Sequence, residues 1–130
     1  MSIELTMLAW AIVLGLVHIT IAAVFSVGQR GLGWAAGARD GTPPPVSTLA
    51  ARMARASANF LETFAFFAAA VLAVMIAGKS NETTVLGAQI YFWARVAYIP
   101  AYGIGIPYLR SVVWTASLVG LIMVLTGLFH

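Results

Sequence analysis

The sequence contains no cysteine, only four acidic residues and only seven basic ones among 130. Without cysteine there is no disulfide framework, no thiolate nucleophile and no cysteine-based metal site, so any thiol chemistry must use a thiol brought by a substrate. Charged residues make up 8% of the chain, too few to solvate the surface of an ordinary globular domain. The formal net charge of +3 rests on basic residues scattered within and beside apolar segments instead of gathered in a run, which argues against nucleic-acid binding. No Lys or Arg precedes the first apolar run, so the basic n-region of a secretory signal peptide is missing and the run is read as a retained helix. His18 and His130 stand apart from any carboxylate cluster, and no metal site is expected. A lone His18 within an apolar helix reads as a hydrogen-bonded interior residue.

What the chain does contain is apolar: 62% hydrophobic residues and a mean hydropathy of +0.96. A spanning helix needs about 20 apolar residues, so this length allows at most four or five spans with short connections and one domain, residues 1–130. The expected fold is an all-α integral membrane protein, a four-transmembrane-helix bundle with helices near 5–27, 47–77, 84–102 and 108–128. Gly31, Gly33, Gly37, Gly41 and Pro43-Pro44-Pro45 predict one long irregular connection, Gly78-Lys79-Ser80-Asn81 a break, and Gly103-Ile104-Gly105-Ile106-Pro107 a short turn. A soluble bundle would need a polar face on every helix, and the first and last segments have none. Arg30, Arg39 and Arg52 lie in or beside the first connection and Arg110 just past the third, against Lys79 in the second. The positive-inside rule then places both termini on the non-cytoplasmic side.

Two helices carry polar stripes. Arg52, Arg55, Asn59 and Glu62 recur at intervals of three, four and three, and Tyr91, Arg95, Tyr98 and Tyr102 at four, three and four, which keeps each set on one helical face. An arginine at membrane depth costs at least about 2.5–3.5 kcal/mol, so Arg95 marks a bundle interior or a polar cavity. The stripes are expected to face each other or a shared cavity, with Glu62 a candidate ion-pair partner for Arg55 or Arg95. Counting Arg52, Arg55, Arg95 and Arg110 against Glu62 alone leaves an excess of guanidinium, which points to an anionic ligand over a purely structural network.

The run Arg52-Met53-Ala54-Arg55-Ala56-Ser57-Ala58-Asn59-Phe60-Leu61-Glu62 resembles the Arg-Ala-x-x-Asn-x-x-Glu signature on the second helix of the MAPEG family, membrane-associated proteins in eicosanoid and glutathione metabolism. Ala94-Arg95-Val96-Ala97-Tyr98, Ala101-Tyr102 and Tyr108-Leu109-Arg110-Ser111 are similar to its third helix and the start of its fourth. The resemblance covers essentially the whole chain. It implies a homotrimer of four-helix subunits, of the bacterial type that resembles microsomal glutathione transferase, in a bacterial inner membrane. It also implies glutathione as cosubstrate, held by Arg55, Asn59 and Glu62 with Arg95, Tyr98 and Tyr102, beside Arg52 and, more loosely, Arg30. Arg110 matches the arginine that activates the thiol. With Thr63 where some eicosanoid-forming members have tyrosine and Ser57 where some have glutamine, leukotriene or prostaglandin synthesis is not carried over.

The chemistry fits those roles. Two carboxylates of glutathione suit guanidinium forks, its ammonium suits Glu62, and a cation beside its thiol favours the thiolate. The leading expectation is a glutathione transferase or peroxidase acting on hydrophobic electrophiles drawn from the bilayer, with membrane lipid its other contact. The alternatives are a non-catalytic lipid or glutathione binder and a small proton-coupled multidrug transporter using Glu62.

Overall fold

Ser2, Ser47 and Asn81 each stand in extended backbone just before an apolar run, and each starts a helix. The Ser2 and Ser47 hydroxyls accept from the backbone N–H of Leu5 at 3.2 Å and Ala50 at 3.1 Å, satisfying donors that have no partner inside the first turn. Asn81 and Thr84 cap each other reciprocally, at 3.1 and 2.9 Å. The computed structural model describes residues 1–106 and 108–130. Among the described residues there are five helices: α1 (Ile3–Arg30), α2 (Leu32–Ala36), α3 (Thr48–Ala77), α4 (Glu82–Ile104) and α5 (Leu109–Leu128). Pro107, placed by the sequence in the third turn, lies outside the described residues.

The long first connection is not wholly irregular. Leu32–Ala36 forms the short α2, because leucine, tryptophan and two alanines outweigh the lone interior Gly33. The ends of that connection are clamped: the Gln29 amide donates to the Ser47 hydroxyl at 2.9 Å, while its oxygen accepts from the Ser47 backbone N–H. The end of α1 is thereby fixed beside the start of α3. α4 continues past Pro100, whose missing N–H leaves one carbonyl of the preceding turn free, and ends at Ile104, two residues beyond the expected Tyr102, capped by Gly105 in the left-handed conformation at φ 75°.

The interior is built from Phe60, Phe67 and Val71 of α3, Tyr91 of α4 and Val124 of α5, all without solvent exposure, and from Ala11 of α1. Phe67 stacks on Tyr91 at 4.0 Å, and the Tyr91 and Thr63 hydroxyls meet at 3.0 Å, so Thr63 serves interior packing. α4 and α5 approach backbone to backbone at Gly87 and Gly120. A Cβ on either glycine would fall 2.6 Å from the other's carbonyl oxygen. Small residues at such a crossing let the helices gain contact that larger ones forbid.

At the end of the molecule holding the N-terminus, Glu4 is 1% exposed. One carboxylate oxygen accepts from Ser80 and Thr84, at the start of α4, where helix-dipole and hydroxyl donors favour negative charge. Glu4 is thereby a buried tie between α1 and α4.

The outer surface is apolar, with Trp10, Leu16, Phe66, Ile122 and Leu125 all exposed. That surface suits lipid and not water. α1, α3 and α5 are long and apolar enough to cross a membrane. α4, with 23 residues and a length of about 35 Å, has the reach but carries Glu82, Gln89 and Arg95. At about 45 Å, α3 exceeds a hydrocarbon core of about 30 Å, which leaves its first turns, with Arg52 and Arg55, free to reach the interface.

Candidate functional site: a cationic pocket

The start of α3, the end of α4 and the start of α5 meet at one end of the protein. Arg52 and Arg55 come one and two turns into α3, and Arg110 is the second residue of α5. The Arg52 guanidinium donates from Nη1 to the Gly103 carbonyl at 3.2 Å and lies against Gly105, where a Cβ would meet it at 2.6 Å. Gly105 therefore serves twice: its positive φ ends α4, and its missing side chain makes room for an arginine.

Arg55 donates from Nε to the Tyr102 hydroxyl at 2.9 Å, and its Cζ stands 5.8 Å from the Tyr102 ring centroid. Arg110 reaches the same ring, with its Cζ 5.4 Å from the centroid. Tyr102 is thus the platform on which two guanidinium groups rest. Together with Gly105 and Ile106, these residues line a pocket of about 310 Å³ containing three cations and no carboxylate. Like charges gathered this closely raise each other's energy unless an anion joins them, and planar guanidinium groups pair with carboxylates bidentately.

Behind the pocket lie Arg95 and Tyr98, 0% and 1% exposed. Arg95 donates from Nη1 to the Asn59 carboxamide oxygen at 2.9 Å and lies over the Tyr98 ring at 4.2 Å. Hence the two polar stripes do face each other, through Arg52 and Gly103, Arg55 and Tyr102, and Asn59 and Arg95. The ion pair considered for Glu62 does not form: among the described residues no hydrogen bond or salt bridge reaches its carboxylate, which lies exposed on the outward face of α3 while Arg95 is turned inward. Asn59 takes the place in Arg95's coordination that Glu62 was expected to fill.

Arg30 sits elsewhere. It donates from Nε to the Pro44 carbonyl at 2.8 Å and lines a separate groove of about 230 Å³ with Ser26, Val46 and Ala54. His18 is buried and stacks on Phe60 at 5.0 Å. Immediately beside Arg110, the residues Tyr108, Ser111, Val112 and Thr115 line a shallow, mainly apolar groove on the outer side of α5. The wholly apolar groove of about 480 Å³ between α3 and α5, lined by Phe66, Ala69 and Leu125 among others, begins two turns or more along α5 from Arg110. The sequence reading missed Gly105 and Ile106 as parts of the pocket and Gly103 as the acceptor for Arg52. Their Gly-x-Gly spacing was legible only as a turn.

A family model, the MAPEG family, matches residues 7–129. No curated protein and no solved structure matches the chain.

Proposed function

The chain belongs to the MAPEG family and is an integral membrane protein; on that premise we propose that it is a membrane-bound glutathione transferase or peroxidase of the bacterial type, which holds glutathione at the cationic pocket and activates its thiol toward hydrophobic electrophiles. The observation that carries this reading is the convergence of Arg52, Arg55 and Arg110 around Tyr102 with no carboxylate lining the space between them.

The donor set fits the tripeptide. Its two carboxylates take the guanidinium groups of Arg52 and Arg55, and its ammonium takes the exposed carboxylate of Glu62 farther along the same face, past Asn59. Arg110, at the mouth, stabilises the thiolate over the thiol, whose ordinary pKa is about 8.5. The thiolate sulfur then forms a bond to the electrophilic carbon, and either the displaced group leaves with its electron pair or an added pair takes up a proton. The electrophile arrives from the bilayer along Tyr108, Val112 and Thr115, where the apolar groove adjoins Arg110.

The same reading makes α4 the fourth span, places both termini on the non-cytoplasmic side of a bacterial inner membrane and assembles the chain as a homotrimer. An exposed Glu62 halfway along a spanning helix supports this, since charge at that depth faces a bundle interior or a polar cavity in preference to lipid.

The test is a titration of detergent-solubilised protein with glutathione, followed by thiolate absorbance, with Arg110→Ala as control. A saturable signal lost in the variant supports the reading. Binding without thiolate makes the protein a non-catalytic binder, and no binding at all overturns the glutathione site.

A further inference from the structure

Arg95 has no solvent exposure and, among the described residues, a single hydrogen bond, from Nη1 to Asn59, with no partner for Nε and Nη2. A buried guanidinium with one hydrogen bond recovers little of what it costs to desolvate, so helix gluing alone is a thin account of Arg95. Its contacts show what it is placed to do instead. The guanidinium lies 4.2 Å from the Tyr98 centroid and 5.5 Å from that of Phe60. Tyr98 leans on Tyr102, with centroids 5.5 Å apart and planes at 52°. Tyr102 accepts from Arg55 and carries Arg110 against its ring. One unbroken series of contacts therefore runs from the interior to both pocket arginines.

We propose that Arg95 is a positioning residue: it seats Tyr98, and through it Tyr102, the ring that sets the orientation of Arg55 and Arg110. It also holds Asn59 with the carboxamide oxygen inward, so that what Asn59 has left to offer outward is its N–H donors. Arg95 itself touches no substrate. A planar guanidinium can lie flat on Tyr98 while reaching Asn59 from its edge; the compact ammonium of lysine cannot do both. The inference rests on the glutathione reading only for what the seated arginines act upon.

The experiment compares native protein with Arg95→Met and Arg95→Lys in detergent through two readouts. The first is hydrogen exchange of the Arg55 side-chain Nε–H, followed by NMR and assigned by its loss in Arg55→Lys. The second is the pH midpoint of the glutathione thiolate signal. Both variants are expected to remain folded. In them the Arg55 Nε–H exchanges about tenfold faster, the scale of one lost hydrogen bond, and the thiolate midpoint moves up toward that of free glutathione. A folded variant with unchanged exchange and an unchanged midpoint overturns the proposal. So does loss of the fold in both variants, which makes Arg95 a structural residue. If native protein forms no thiolate, the glutathione reading fails, while the Arg55 signal still decides the role of Arg95.

Discussion

Arg55 and Tyr102, 47 residues apart in sequence, meet at 2.9 Å with the guanidinium donating to the phenol oxygen. This contact closes the pocket between α3 and α4 and leaves the rest of the Arg55 fork for a ligand. Tyr102→Phe keeps the ring beneath Arg110 and removes only the acceptor for Arg55. Glutathione affinity is expected to fall about 3–10-fold, the scale of one net hydrogen bond. Isothermal titration reads it, and unaltered affinity with intact folding would show that the contact does not orient Arg55.

Arg110 is exposed at the start of α5, with its Cζ 5.4 Å from the Tyr102 ring centroid. Arg110→Ala should lower kcat by about 10–100-fold, near the scale for losing one group that stabilises a reacting anion, with a smaller change in KM. Steady-state conjugation of a hydrophobic aryl halide measures both. A change confined to KM would reassign Arg110 to binding.

Glu62 presents, on the Arg55 and Asn59 face of α3, a carboxylate with no hydrogen-bond or ion-pair partner among the described residues. Glu62→Gln should weaken glutathione by about 10-fold or more, as expected for a lost hydrogen bond between charged groups. It should leave the affinity for N-acetylglutathione, which has no ammonium, little altered. Equal losses for the two ligands would contradict a role in holding the ammonium.

The close crossing of α4 and α5 tolerates no side chain. Gly120→Ala places a Cβ 2.6 Å from the Gly87 oxygen and from the Tyr91 nitrogen, and is expected to cost about 1–3 kcal/mol through overpacking. Denaturant unfolding in detergent would reveal it. Gly28→Ala, with nothing within 4 Å of the added carbon, is the control and should be close to neutral.

Glu4→Ala removes the acceptor shared by Ser80 and Thr84, and should destabilise by about 1–3 kcal/mol, the range for leaving buried polar groups unsatisfied. Glu4→Gln keeps an oxygen there and should lose less. Thermal unfolding that ranks the glutamine variant below the alanine variant would refute the tie between α1 and α4.

Much of the fold was legible because its signals are local. The glycine-rich breaks at 78 and 103–105 act within one turn of the chain, and helix periodicity alone put Arg52, Arg55, Asn59 and Glu62 on one face. The partners on the facing helices were not legible. Asn59 and Glu62 are three residues apart on the same stripe, and the sequence offered the carboxylate as partner for Arg95 on charge alone. The structure gave that place to the amide, because Asn59 lies nearer the interior and Glu62 faces outward.

The sequence by itself determined that the protein is helical, apolar enough for lipid and over-supplied with guanidinium, because hydropathy, periodicity and the count of charges are properties of the chain. Only the tertiary structure decided how that surplus is divided. It turned Arg95 inward against Tyr98, spread Arg52, Arg55 and Arg110 around Tyr102, and set Arg30 apart against Pro44. The physical reason is the crossing of α3, α4 and α5, which depends on contacts such as Gly87 with Gly120 that lie far apart in the chain, and which alone fixes the helical face each arginine meets.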